Sequence, residues 1–377
     1  MIYFDSTATT KPRQEVLDTY LKVVQNYWEN PSSIYLPSVK ANALFEKSKE
    51  VILKALNLKN HEIIFTSNAT EANNLAIQGI VNNYYGKGFR IITSKIEHPS
   101  VYNLYKELET KGFDVKYLDV DEKGIVDLKQ LENLMNKDTL IVSIMYVNNI
   151  IGTIEPIDEI IKIVKHYPRC KLHVDMVQAL GKVNLIDLND IDLMTISSHK
   201  IEGIKGVACL IKKKNLNLTK VLIGSNQQEG IKPGTIDTAG AASMAKAVQL
   251  ALNEQNESFK YVKALRDNLI SELEKIDEIK INSNDLCSPF IVSISYYGYK
   301  AETLLHYLEE KEIYVSVGSA CAAQKETPER TILETTKDLK RATSSIRISL
   351  SHLNTIDDIN KLIYYLKEFK RRRKNVW

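Results

Sequence analysis

The sequence predicts an α/β protein whose core is a mostly parallel sheet covered by helices on both faces. Short apolar runs alternate with amphipathic helical segments from about residue 16 to about residue 255, as at 90–94 (RIITS), 139–144 (TLIVSI) and 172–175 (LHVD). This alternation is typical of parallel strands joined by helical crossovers. With 377 residues, 44% of them hydrophobic, the chain is long enough to bury two cores.

The same pattern predicts the domain boundaries. A large domain is expected over residues 16–255, and a smaller α+β domain is expected to combine residues 1–15 with residues 256–377. A long helical stretch from Ala241 is expected to bridge the two domains. An apolar run at 290–294 (FIVSI) supplies a strand of the smaller domain.

Composition narrows the function classes. The 50 Lys and Arg residues nearly balance the 47 Asp and Glu residues, and a net charge of +3 does not indicate a nucleic-acid partner. Neither end carries an apolar stretch long enough to cross a bilayer, and the first residues lack the regions of a signal peptide. We therefore expect a cytoplasmic protein with no membrane partner and no direct nucleic-acid partner.

The cysteines are too few and too scattered for a disulfide framework or a metal site, and reduced thiols are expected. There are four of them: Cys170, Cys209, Cys287 and Cys321. Cys209 lies in an apolar run (GVACLI, 206–211) that predicts a buried strand. Cys321 lies among small and polar residues (GSACAAQK, 318–325) that are typical of an exposed loop, so its thiol is available for chemistry.

Two strand ends carry groups that suit an aldehyde cofactor. Lys200 ends the motif SSHK (197–200), directly after an apolar run, and a lysine there can hold an aldehyde as a Schiff base. Taken alone, the motif is better explained by a strand that has reached solvent. Asp175 stands at the end of another apolar strand, where a carboxylate could keep a pyridine nitrogen protonated and make the ring an electron sink.

A phosphate site is indicated further upstream. The run EIIFTS (62–67) predicts a strand, and NATEANNLA (68–76) predicts the start of a capped helix. Free backbone N–H groups and the positive end of the helix dipole favour a bound phosphate there. An ordinary capped helix explains this segment equally well when it is considered alone.

Together, these segments resemble the cysteine desulfurases of the NifS and IscS type, pyridoxal-phosphate enzymes of the class V aminotransferase-like family. The resemblance runs nearly end to end. It rests on FDSTATT (4–10), NPSS (30–33), ATEANN (69–74), EHP (97–99), VNN (147–149), DMVQ (175–178), SSHK (197–200), PGT (233–235), GSAC (318–321) and SIRISL (345–350). It implies the type I fold of these transferases, with a seven-stranded sheet in the large domain and the catalytic cysteine loop on the small one.

The resemblance assigns the residues around the cofactor ring. It implies that Lys200 binds pyridoxal 5'-phosphate covalently and later moves the α-proton of the substrate. Asp175 would pair with the pyridine nitrogen, and His98 would stack on the ring and take part in catalysis. Gln178 and Asn149 match positions that contact the ring hydroxyl, and Asn149 also matches a substrate-binding position.

It also assigns the phosphate ligands and the subunit arrangement. Ser197, His199, Ala69 and Thr70 match positions that bind the cofactor phosphate. Thr235 matches a residue that reaches the phosphate of a second subunit, which implies a homodimer with a composite site.

The remaining roles concern the substrate, L-cysteine. Arg347 lies in an alternating strand pattern that places it opposite Ile346 and Ile348, and an arginine can hold an α-carboxylate with two parallel hydrogen bonds. Cys321 matches the cysteine that takes the substrate sulfur as a persulfide, although an unremarkable surface cysteine is the alternative. The implied product is L-alanine, and the implied acceptors are an iron–sulfur scaffold or a tRNA-thiolation enzyme.

Two other functions are compatible with parts of this pattern. Another enzyme of the same fold, such as an aminotransferase or a selenocysteine lyase, would share the lysine and the aspartate. Cys321 argues against an aminotransferase, whereas the same attack would work on selenium. A sulfur-delivery scaffold without catalysis is the alternative of a different class, and the retained set of Lys200, Asp175, His98, Cys321 and Arg347 argues against it.

Several positions depart from the family pattern. The family usually has glycine where this chain has Asn68, glutamate where it has Ile150, and glutamate and arginine where it has Gln228 and Glu229. Because asparagine tolerates positive φ, we expect Asn68 to preserve a turn there. Glu229 reverses a charge and is expected to remove the usual local salt bridges.

Overall fold

The structure is a computed structural model that describes residues 1–318 and 328–374, with side chains through residue 369. Within these ranges the strands are β1 (Ile2–Tyr3), β2 (His61–Thr66), β3 (Arg90–Ser94), β4 (Asp114–Leu118), β5 (Thr139–Met145), β6 (Lys171–Asp175), β7 (Leu193–Ser197), β8 (Ala208–Lys213), β9 (Ile279–Ile281), β10 (Ile291–Tyr296), β11 (Ile313–Tyr314) and β12 (Ser345–Ser349).

The helices surround these strands. Over the same described ranges they are α1 (Gln14–Asn26), α2 (Leu36–Ala55), α3 (Ala69–Val81), α4 (Pro99–Thr110), α5 (Leu128–Leu134), α6 (Ile157–Lys165), α7 (Thr238–Asn253), α8 (Gln255–Leu273), α9 (Ala301–Glu309), α10 (Arg330–Thr336), α11 (Leu339–Thr343) and α12 (Ile356–Lys374). In the described part of the chain, no helix is both long and apolar enough to span a membrane.

The main sheet confirms the predicted fold class. Among the described residues it has seven strands in the order β2-β8-β7-β6-β5-β3-β4. Strands β7, β6, β5, β3 and β4 pair in parallel, and β8 is antiparallel to both of its neighbours. Every residue of β5 is buried, which is why that strand reads as a continuous apolar run and not as an alternating pattern.

Each face of the sheet packs against its own apolar core. On one face Ile141 of β5 packs with Leu75 of α3 and Val101 of α4. On the other face Val142 packs with Ile160 of α6 and joins the larger core, which continues into the smaller sheet. Neighbouring residues of one strand therefore belong to opposite cores, as the period of a β-strand requires.

A smaller antiparallel sheet in the order β12-β10-β9 lies C-terminal to the main one. The N-terminus joins this part of the molecule, because β1 pairs with β11 and Asp5 bridges to Ser349. The helical stretch predicted from Ala241 consists of two helices, α7 and α8, which meet at Glu254. The predicted domain boundaries near residues 16 and 255 stay a prediction.

Candidate active site

A cavity of about 250 Å³ opens where β5 and β6 end and where the turn after β7 begins. In α/β sheets this edge is where ligands bind. The cavity is lined by Thr7, Ala8, Asn68, Ala69, Thr70, His98, Ser100, Met145, Val147, Asn149, Asp175, Val177, Gln178, His199, Lys200 and Arg347. Nine residues predicted from the sequence as site residues are among them: Ala69, Thr70, His98, Asn149, Asp175, Gln178, His199, Lys200 and Arg347.

Lys200 is held by the backbone near the N-terminus. A short helical turn follows β7 and ends at Lys200, whose Nζ donates to the carbonyl oxygens of Thr7 at 2.7 Å and Ala8 at 2.8 Å. Burial, reinforced by the positive charge of Arg347, lowers the pKa of Lys200 to about 8. The neutral amine that attacks an aldehyde is therefore far more abundant near neutral pH than in an ordinary lysine.

Asp175 is buried and is held by two donors. Its Oδ2 accepts from Asn73 Nδ2 at 2.9 Å, and its Oδ1 accepts from the backbone N–H of Val177 at 3.0 Å. Asn73 lies one turn after Ala69 on α3 and also donates to Ser100 Oγ at 2.9 Å. Neither Asn73 nor Ser100 was predicted as a site residue, although the spacing of Asn73 from Ala69 indicates the same helix face.

His98 caps the first turn of α4 and presents a neutral ring to the cavity. Its Nδ1 accepts from the backbone N–H of Ser100 at 3.1 Å, which assigns the ring proton to Nε2. Burial lowers the pKa of His98, and the nearby cations Lys200 and Arg330 lower it further against the opposing charge of Asp175. A neutral imidazole at this place suits stacking on an aromatic ring and proton exchange through Nε2.

Arg347 projects from β12 into the cavity and is almost fully buried. Its guanidinium donates to Asp5 Oδ1 at 2.8 Å and to the carbonyl oxygen of Asn149 at 2.9 Å, while its buried Nε has no partner among the described residues. Donors therefore remain for a ligand carboxylate. The orienting partner Asp5 was not identified from the sequence, because the two residues lie 342 positions apart.

The start of α3 lies at the end of the cavity where an anion would bind. The conformation of Asn68 there corrects one expectation. Asn68 does not adopt positive φ: its φ is −164°, which is extended, so the expected reason for asparagine was wrong. Asn68 instead caps α3, since its side-chain oxygen accepts from the backbone N–H of Glu71 at 2.9 Å. Ala69 and Thr70, in the first turn of that helix, line the cavity.

Three predicted site residues lie outside this group. Ser197 is buried but does not line the cavity, and its hydroxyl has no hydrogen-bond partner in the part of the chain that the structure describes. Thr235 is exposed and does not line the cavity. Cys321 lies outside the described residues. Their roles stay predictions.

The other three cysteines are buried free thiols. Burial raises the pKa of Cys170 to about 12 and also raises the pKa values of Cys209 and Cys287. Thiols of this kind are poor nucleophiles, because the thiolate form is suppressed.

Gln228 and Glu229, which depart from the family pattern, both contact nearby residues. Gln228 binds the backbone of Phe65 on the edge strand β2, accepting from its N–H at 2.6 Å and donating to its carbonyl oxygen at 3.0 Å. Glu229 lies 3.6 Å from Nζ of the buried Lys212, which also pairs with Glu62. The expected loss of the usual salt bridges was therefore incomplete, since the reversed charge at Glu229 has a cationic partner.

Ile150 belongs to a small apolar cluster. It is 4% exposed and packs with Ile151, Ile332 and Ala342, so it contacts α10 and α11. A glutamate at this position would place a carboxylate against apolar side chains, which is costly unless the charge is paired. The isoleucine therefore suits its neighbours in this chain.

The donor set fits pyridoxal phosphate. Lys200, whose pKa is lowered, would hold the aldehyde, the buried carboxylate of Asp175 would pair with the pyridine nitrogen, and the first turn of α3 would hold the phosphate. The fold and this site define the class of the protein as a type I pyridoxal-phosphate transferase.

Comparison with known proteins shows the family to which the chain belongs. Residues 2–362 match the Aminotransferase class-V family, and the chain belongs to that family. A Lactobacillus delbrueckii subsp. bulgaricus protein named NifS/IcsS protein homolog is 40% identical over 367 residues, which cover 96% of this chain and 95% of that one. The cysteine desulfurase IscS of Clostridium botulinum is 38% identical over 381 residues, which cover 100% and 96%.

A solved structure described as a NifS-like protein superposes with a TM-score of 0.90 at 32% identity and covers 99% of both chains. The predicted resemblance to NifS and IscS proteins is thereby confirmed.

Glu97, next to His98, is a buried carboxyl group that was not predicted as a site residue. Its Oε1 accepts from Ser94 Oγ at 2.7 Å and from the backbone N–H of Met145 at 3.1 Å. Burial raises the pKa of Glu97 to about 8, and the charge of Asp175 acts in the same direction. Near neutral pH this side chain is therefore protonated in the folded protein.

We predict that Glu97→Gln changes how stability depends on pH. The folded pKa lies above the unfolded one, so the stability that Glu97 contributes is lost as pH rises from about 5 to about 8, by up to about 1.4 kcal/mol per pH unit. The variant lacks this titration. Urea unfolding of the two apoproteins at several pH values should show a difference that moves in favour of the variant as pH rises.

Glu122→Gln, at an exposed position, is the matched control and should track the wild type at every pH. A difference between Glu97→Gln and the wild type that stays constant from pH 5 to pH 8 would contradict the assignment.

Proposed function

We propose that the protein is a cysteine desulfurase that takes sulfur from L-cysteine, releases L-alanine and keeps the sulfur as a persulfide on Cys321. The observation that carries the proposal is that Lys200, Asp175, His98 and Arg347 line a single cavity. The names of the relatives support it, since they cover nearly the whole chain.

The described side chains divide the work of the reaction. When bound, pyridoxal phosphate supplies the electron sink that makes the α-proton of cysteine acidic. Arg347 binds the substrate carboxylate, and Asp175 holds the proton on the pyridine nitrogen. The amine of Lys200, released by the incoming substrate, removes the α-proton and returns a proton later.

Cys321 then acts on the substrate sulfur. Its thiolate forms a sulfur–sulfur bond while the carbon–sulfur bond of the substrate breaks, and the electron pair of that bond stays on the carbon that becomes alanine. The carbon is protonated before release. The persulfide is transferred to an acceptor, for which we propose an iron–sulfur scaffold or a tRNA-thiolation enzyme.

We infer a cytoplasmic setting and a homodimer. The buried cysteines of the described chain are free thiols, which suits a reducing compartment. Large exposed apolar side chains support a subunit interface, among them Trp28 at 76%, Ile34 at 97% and Ile223 at 90% exposure. Thr235 is exposed on the single subunit and is available to a second one.

We predict that borohydride reduction of the cofactor-loaded protein attaches the pyridoxyl group to Lys200. Lys200→Ala should lose the covalent attachment yet retain bound cofactor, because the contacts to the phosphate and the ring remain. Peptide mapping by mass spectrometry identifies the modified residue. Lys182, a second buried lysine, serves as the internal control and should stay unmodified. Modification of any lysine other than Lys200 would refute the assignment.

We predict that Cys321→Ser lowers sulfide release from cysteine at least about a hundredfold but still permits the spectral change that accompanies cysteine binding. The reason is that the thiolate acts only after the substrate is bound. Sulfide and alanine assays together with visible spectra test this.

Cys170→Ala, Cys209→Ala and Cys287→Ala are the matched controls, since those thiols are buried and have raised pKa values. Each should turn over cysteine nearly as the wild type does. Full sulfide production by Cys321→Ser would rule out the persulfide step.

We predict that two inactive subunits restore activity when mixed. One carries Lys200→Ala, and the other lacks the loop around Thr235. In a hybrid dimer one site then has both an intact lysine and an intact loop, so equal mixing should restore about a quarter of wild-type activity. Hybrid dimers are isolated with two affinity tags, and each homodimer is the control. Inactive hybrids, or an active monomer in sedimentation, would contradict the composite site.

A further inference from the structure

Lys182 is a buried lysine that lies outside the sequence motifs from which the site was predicted. It is 8% exposed and lies four residues after Gln178, to whose Oε1 its Nζ donates at 2.8 Å. Burial lowers the pKa of Lys182 to about 7, the positive charges of Lys200 and Arg347 lower it further, and the charge of Glu202 opposes the shift. A cation in such a place is costly, so the hydrogen bond to Gln178, its side-chain partner among the described residues, calls for a functional reason.

The contact fixes the orientation of an amide. Nζ donates to Oε1 of Gln178, while Nε2 of Gln178 donates to the carbonyl oxygen of Thr7 at 3.1 Å. A carbonyl oxygen can only accept and a protonated amine can only donate, so the two contacts agree on which end of the amide is nitrogen. One hydrogen of Nε2 is bound to Thr7, and the other remains for the cavity that Gln178 lines.

Lys182 contacts the amide of Gln178 from outside the cavity that contains Asp175. It does not line the cavity that contains Asp175 but a separate cavity of about 50 Å³, and Lys200 lines both. The hydrogen bond to Gln178 therefore links Lys182 to the cavity that contains Asp175.

We propose that Lys182 is a positioning residue that holds the amide of Gln178 so that Nε2 donates to the ring oxygen of pyridoxal phosphate. This rests on the proposed function, in which Gln178 contacts that oxygen. A donor there withdraws negative charge from the ring oxygen, which would otherwise stabilise the protonated linkage between the cofactor and Lys200. Without the donor, the linkage holds its proton more tightly.

The test is a pH titration of the visible absorption band in the purified holoenzyme. Lys182→Met removes the donor, and the acid dissociation constant read from the band should fall about threefold. Gln178→Leu should cause a fall of similar size. The double variant should show no more than the Gln178→Leu change, because Lys182 acts through Gln178. Lys182→Arg, which keeps a donor, should recover most of the wild-type value.

Two further measurements separate this role from a structural one. Lys212→Met removes another buried lysine that does not line the cavity, and it should leave the titration unchanged. Pyridoxal phosphate binding to each apoprotein and its thermal unfolding are measured in parallel. If Lys182→Met does not fold, Lys182→Gln, which keeps a neutral donor, replaces it and should give a smaller change than Gln178→Leu.

An unchanged titration in Lys182→Met would overturn the proposal, and so would an additive change in the double variant, which indicates a direct effect of charge. Failure of the proposed function gives a different result, because a wild-type protein without cofactor on Lys200 shows no such band to titrate.

Discussion

The arrangement of the site depends on the backbone carbonyl oxygen of Thr7. It accepts from Lys200 Nζ at 2.7 Å and from Gln178 Nε2 at 3.1 Å, so one backbone group holds residues from two different strand ends. The same N-terminal segment supplies Asp5 to Arg347. Its backbone also joins β12, since the N–H of Ser349 donates to the carbonyl oxygen of Phe4 at 2.7 Å. Both sheets are thereby tied to the cavity by a few residues near the start of the chain.

This arrangement concentrates positive charge in a poorly hydrated place. Burial lowers the pKa values of Lys200 and Lys182, and the positive charge of Arg347 lowers both further. The charge of Lys200 adds to the effect on Lys182. Asp5 and Asp175 offset part of that charge. An anionic cofactor and a substrate carboxylate offset more, so the excess of cations that burdens the folded apoprotein also attracts its ligands. The lowered pKa of Lys200 is thus a consequence of its burial beside Arg347.

The sequence was sufficient to predict those strands in which burial determines the pattern of apolar residues. The run predicted at 90–94 is β3, because a central parallel strand is apolar on both faces. The site residues that lie in sequence motifs could be predicted, and the structure brings nine of the predicted residues to one cavity. The supporting contacts were not predictable. Asn73 binds Asp175 across 102 positions, and no local periodicity indicates such a pair. At Asn68 the expected positive φ was wrong, because the asparagine caps α3 from an extended conformation.

The central claim, that the fold holds Lys200 as a poised amine, can be measured without cofactor or substrate. The apoprotein is labelled with a trace of acetic anhydride between pH 6 and pH 11, and the modification of each lysine is quantified by mass spectrometry. The burial of Lys200 beside Arg347 predicts that it titrates with a pKa of about 8. Exposed lysines should titrate near the ordinary value of about 10.4. A Lys200 that titrates together with the exposed lysines would contradict the account.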